Sequence, residues 1–85
     1  MTKVVMYSTR FCPYCVRARM LLEKKGIDFT DIRVDSEPHL REEMIARAGR
    51  SSVPQIFIDE EHVGGCDELY ELEFEGQLDE KLGLA

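Results

Sequence analysis

The chain contains no tryptophan, three prolines and 8% aromatic residues, and none of its apolar runs is long. Val4-Val5-Met6 and Ile56-Phe57-Ile58 fall far below the roughly 20 apolar residues that a membrane-spanning helix requires. At the N-terminus, Met1-Thr2-Lys3 is followed by three apolar residues and then Tyr7-Ser8-Thr9-Arg10, too little for the apolar core of a secretory signal. A cytoplasmic location with no membrane role is therefore expected. Positive charge is also scarce. Lys and Arg number 11 against 17 Asp and Glu, a net charge of −6, which disfavours binding to the phosphate backbone of a nucleic acid. Cysteine occurs three times, an odd number that does not make the paired disulfide framework of a small secreted domain.

What remains is 85 residues with 44% hydrophobic and 33% charged side chains, the composition of one compact domain spanning residues 1–85. Lys3 to Tyr7 is a short β-branched and apolar run, as in a strand covered on both faces. After Cys12-Pro13, the apolar positions Tyr14, Ala18, Leu21 and Leu22 recur at helical spacing up to a stop at Gly26. Thr30, Ile32 and Val34 alternate with polar residues in a second strand. Asp35 and Ser36 are the expected caps of a second helix, whose stripe is Leu40, Met44, Ile45 and Ala48. Gln55 to Asp59 and His62 to Gly64 read as a hairpin around an Asp59-Glu60-Glu61 turn. Cys66 to Glu75 predicts a third long helix, with one more turn over Gln77 to Leu82. The order strand, helix, strand, helix, strand, strand, helix implies an α/β fold. Its sheet is mixed and four-stranded, with helices on both faces.

Cys12-Pro13-Tyr14-Cys15 stands where the first strand gives way to the first helix. A helix N-terminus offers free amides and the positive end of the macrodipole, so Cys12 is expected to hold a thiolate more readily than an ordinary cysteine. Cys15 lies about one turn further on, within reach of that sulfur, and so reads as the resolving thiol. Arg10 either adds positive charge beside this site or is a solvated surface cation. Tyr14 either lends a flat wall to a thiol substrate or fills the first turn of the helix. A zinc site is not expected, because the chain has no second Cys-x-x-Cys pair and His39, His62 and Cys66 lack ligand spacing.

Two further segments draw attention. Ser52-Val53-Pro54 precedes a strand, where a cis bond before Pro54 would leave the Val53 amide and carbonyl free to pair with an extended peptide. Gly64-Gly65-Cys66-Asp67 precedes a helix. Its glycines allow close approach of a ligand, its amides suit a carboxylate, and Asp67 can cap the helix or accept from an α-amino group. Cys66 reads as a small packed residue.

Taken together, these three motifs resemble the dithiol glutaredoxins of the short bacterial type, from about Lys3 to Leu82. The resemblance implies a thioredoxin-like fold with Cys12 as nucleophile, Cys15 as its partner and glutathione lying in a groove as the reducing cosubstrate, with no permanently bound cofactor. It places Tyr14 beside the tripeptide, Val53 before cis Pro54 and against the cysteinyl backbone, and Gly65, the Cys66 amide and Asp67 at the γ-glutamyl end. Many relatives carry a Lys three residues before the nucleophile. Here Thr9 stands there, with Arg10 next to it as the substitute cation.

The expected activity is thiol-disulfide exchange on disulfide-containing or glutathionylated proteins by a monomer. One alternative is a redoxin fed by a thioredoxin reductase. The other is a carrier holding an iron-sulfur cluster between two subunits, with one Cys12 from each and glutathione supplying the other thiolates.

Overall fold

The computed structural model describes residues 2–84. In chain order the elements are β1 (Val4–Ser8), α1 (Pro13–Lys24), β2 (Thr30–Arg33), α2 (Pro38–Ala48), β3 (Gln55–Ile58), β4 (Glu61–Gly64), α3 (Cys66–Phe74) and the short α4 (Leu78–Lys81). The strands make one sheet in the order β2-β1-β3-β4. β1 runs parallel to β2 and antiparallel to β3, and β3 pairs antiparallel with β4.

The central strands β1 and β3 are buried along their whole length, and the alternation of a strand sorts their side chains between two cores. Val4, Met6, Ile56 and Ile58 pack with Ala18, Leu21 and Leu22 of α1, Leu69 of α3 and Leu78 of α4. Val5, Tyr7 and Phe57 face the other way, onto Met44 of α2 and Val34. Helices therefore cover both faces, as the order of elements led one to expect, in the thioredoxin-like arrangement that the resemblance implies. Among the described residues, no helix is long and apolar enough to cross a membrane.

β1, β2 and α3 end one residue away from the expected positions, and three further departures from the sequence reading have local causes. Asp35 and Ser36 do not cap α2: Asp35 Oδ2 accepts from the Arg10 amide at 3.0 Å, and Ser36 Oγ donates to the Arg33 carbonyl at 2.8 Å. Glu37 occupies the N-cap without a side-chain bond, and Pro38 starts the helix because a first-turn residue needs no amide proton. Ile45 is 40% exposed, since a residue one step from buried Met44 lies about 100° around the helix and misses the sheet. The hairpin turn is shorter by one residue. Asp59 and Glu60 have φ of 50° and 70°, the left-handed pair of a two-residue turn, so Glu61 already belongs to β4.

Candidate active site

Cys12 is the N-cap of α1, with extended φ of −91° and ψ of 118°, and Pro13 follows inside the first turn. Its carbonyl accepts the first helical bond, from Val16 at 3.1 Å, while the earlier amides of the turn have no helical partner. The partly exposed Cys12 sulfur thus sits at the amide-rich end of the helix. Cys15 is fully buried one turn later. Burial pushes its thiol up to about 11; the bond and charge of Cys12 add to this, against hydrogen bonds from the backbone and side chain of Thr9. Cys12, Cys15 and Cys66 are all free thiols. One accessible sulfur therefore stands beside one that stays protonated at neutrality.

The bond between Val53 and Pro54 is cis, and Cys12 Sγ lies 3.9 Å from the Val53 carbonyl, to which it donates. From this point a groove of about 190 Å³ runs between the Val53-Pro54 segment and the start of α3. Of the residues singled out in the sequence, it brings together Tyr14, Val53, Pro54, Gly65, Cys66 and Asp67. Tyr14 is 54% exposed, so its ring forms an open wall rather than core. At Gly65 a Cβ would lie 3.2 Å from the Pro54 carbonyl oxygen, a tight contact that the neighbouring backbone must yield to accept. Cys66 is buried, and that burial pushes its thiol up, partly offset by Arg17.

The groove also contains Arg50, Ser52 and Glu68, which the sequence reading left out of the site. Glu68, not Asp67, is the carboxylate that closes the start of α3. Its Oε1 accepts from the Gly65 amide at 2.7 Å and from Arg50 Nη1 at 3.0 Å. The Gly65 bond, reinforced by Arg50, holds the Glu68 carboxyl below its ordinary value of 4.5. Gly64 accommodates this arrangement at φ of 122°, where any Cβ would collide with the Glu68 carboxylate. Because the folded pKa is lowered, the stabilisation is present above the unfolded value and is lost as pH falls through the folded one. Urea unfolding of wild type and Glu68→Gln is expected to show a constant stability gap near neutrality that shrinks below 4.5. A gap independent of pH would contradict the assignment.

Thr9 and Arg10 are not in this groove. Thr9 serves Cys15, and Arg10 lines a separate concavity with Arg33, Asp35 and Ser36, its guanidinium 5.4 Å from the centre of the Phe11 ring. Glu68 had a signal in the sequence, since it lies three residues after Gly65, the spacing from which a side chain reaches back to its own N-cap. Arg50 had none, because only the folding of the loop after α2 over α3 brings its guanidinium to the groove. Among the described residues, no group of three or more His, Cys, Asp or Glu is placed to hold a metal ion.

The family model for glutaredoxin matches residues 4–63. A glutaredoxin from Pseudomonas aeruginosa is 54% identical over 93% of this chain and 94% of its own length. Glutaredoxin 3 from Escherichia coli is 52% identical over 93% of this chain and 95% of its own. The crystal structure of a buckwheat glutaredoxin-glutathione complex superposes with a TM-score of 0.89 at 29% identity, covering 96% of this chain and 77% of that one. With its dithiol motif at a helix start on a thioredoxin fold, the chain belongs to the glutaredoxin family of thiol-disulfide oxidoreductases.

Proposed function

We propose that this chain uses glutathione to reduce glutathione mixed disulfides and protein disulfides, with Cys12 as nucleophile and Cys15 as resolving thiol. The observation that carries the reading is the groove that begins at the Cys12-Val53 contact and brings the Val53-Pro54 backbone opposite Gly65, Cys66 and Asp67. In it, the Val53 backbone receives the cysteinyl segment of the tripeptide in strand fashion. Tyr14 flanks that segment. The Cys66 amide and Asp67 hold the carboxylate and ammonium of the γ-glutamyl end, with Gly65 giving room for close approach. Arg50, which borders the groove beside Glu68 and Gly65, adds positive charge at that end.

On a mixed disulfide, the Cys12 thiolate attacks the glutathione sulfur, a new S–S bond forms, and the client leaves as a thiolate that takes up a proton. A second glutathione thiolate then attacks the bound glutathione sulfur. Oxidised glutathione departs and the Cys12 thiolate returns. On a protein disulfide, Cys12 instead becomes bonded to the client, and Cys15 attacks the Cys12 sulfur to release a dithiol and form the Cys12-Cys15 disulfide, which two glutathione molecules reduce. Burial delays Cys15 until it is needed. Once Cys12 is in a disulfide its charge no longer opposes ionisation of Cys15, so the second step becomes easier only after the first.

A single domain of this kind works as a monomer in the reducing cytoplasm on disulfide-containing or glutathionylated proteins. Steady-state turnover of a small glutathionyl disulfide, with glutathione as the only thiol reductant, is the test. Rapid, saturable turnover supports the reading, whereas turnover only when a thioredoxin reductase is supplied would overturn it.

A further inference from the structure

Gln55 opens β3 directly after Pro54, and its carboxamide is buried, 1% exposed. Burying such a group is unfavourable unless its polar atoms find partners, so the partners show what it is there to hold. Its Nε2 donates to the Ser52 carbonyl at 2.9 Å and lies 3.3 Å from Ser52 Oγ. Oε1 is left to accept, and it stands 2.7 Å from His62 Nε2, so that nitrogen carries a proton. The His62 ring on β4 is fixed in turn against buried Phe57, their centroids 5.0 Å apart. A line of contacts therefore runs from the edge strand through Gln55 to the residue just before Val53. From the other side, Arg41 of α2 donates to the Ser51 carbonyl at 3.0 Å.

We infer that His62 and Gln55 are positioning residues that orient the Ser52-Val53 segment and thereby set the preference for glutathionyl disulfides over disulfides lacking the tripeptide. Neither residue lines the groove. They act through the backbone that glutathione meets, and the inference rests on the glutathione reading above. A disulfide without the peptide forms no backbone pair with Val53 and meets that segment only through the long 3.9 Å contact of the Cys12 sulfur, so its rate depends far less on how Val53 is held.

The test compares kcat and KM on a small glutathionyl mixed disulfide and on a non-peptide disulfide for wild type, Gln55→Leu, His62→Phe and His62→Gln. Gln55→Leu is expected to raise KM for the glutathionyl substrate about three- to tenfold, the worth of a typical net hydrogen bond, leaving kcat and the non-peptide rate unchanged. His62→Phe keeps a ring on Phe57 but loses the donor, and shifts KM in the same direction by less. His62→Gln restores a donor and recovers part of the loss. If Gln55→Leu does not fold, His62→Phe decides, because His62 is only partly buried. Unchanged KM in the folded variants, or an equal loss on both substrates, overturns the inference alone. A wild type with no preference for the glutathionyl substrate overturns the glutathione reading and this inference with it.

Discussion

Cys12→Ser is expected to fall to the uncatalysed background with every disulfide substrate while the protein stays as stable as wild type or becomes more so. The two halves of this result have separate causes. A serine hydroxyl does not ionise in the accessible pH range, so no sulfur anion is available to attack and no mixed disulfide forms. Stability follows from the position. Cys12 is an N-cap that makes no side-chain cap bond, and serine is among the residues that cap best, with a gain of up to about 1 kcal/mol over a non-capping side chain. Steady-state assays paired with urea unfolding measure both. A variant that is inactive because it unfolds, or one that keeps appreciable turnover, would contradict the role given to Cys12.

The parts of the molecule that could be read from the amino-acid order are those governed by neighbours along the chain. Val4-Val5-Met6 and Ile56-Phe57-Ile58 are apolar without interruption, and they became the two strands covered on both faces. Cys12 and Cys15 flank a proline that marks a helix start, so their placement about one turn apart at the head of α1 follows from helix geometry. What escaped depends on segments that meet only after folding. Asp35 has the chemistry of a cap, yet the Arg10 amide, 25 residues earlier, competes for its carboxylate and wins. Ile45 matches a helical stripe, but the row that α2 lays against the sheet is Leu40, Met44 and Ala48, one step to its side. Thr9 and Arg10 adjoin the reactive motif in sequence and turn away from the groove, whereas Arg50, 38 positions after Cys12 in the numbering, turns toward it. Arg50 reaches the groove only because the loop after α2 meets Glu68 of α3, a long-range contact that no local pattern encodes.

Cys15→Ser carries the second large effect and separates the two sulfur roles. The substitution suits the site, because the serine hydroxyl is close in size to a thiol and finds the Thr9 groups that already bond to this position. With Cys15 gone, a protein client bound to Cys12 through a disulfide has no internal thiol to release it, and reduction by the two-cysteine route stops. A glutathione adduct on Cys12 has no such need, since a second glutathione attacks from solution. The decisive measurement is therefore one variant in two assays: Cys15→Ser turning over a glutathionyl mixed disulfide and, separately, an intramolecular protein disulfide. The account predicts that the first activity persists near the wild-type level and the second is almost abolished. Loss of both by a folded Cys15→Ser protein, or retention of both, would contradict it.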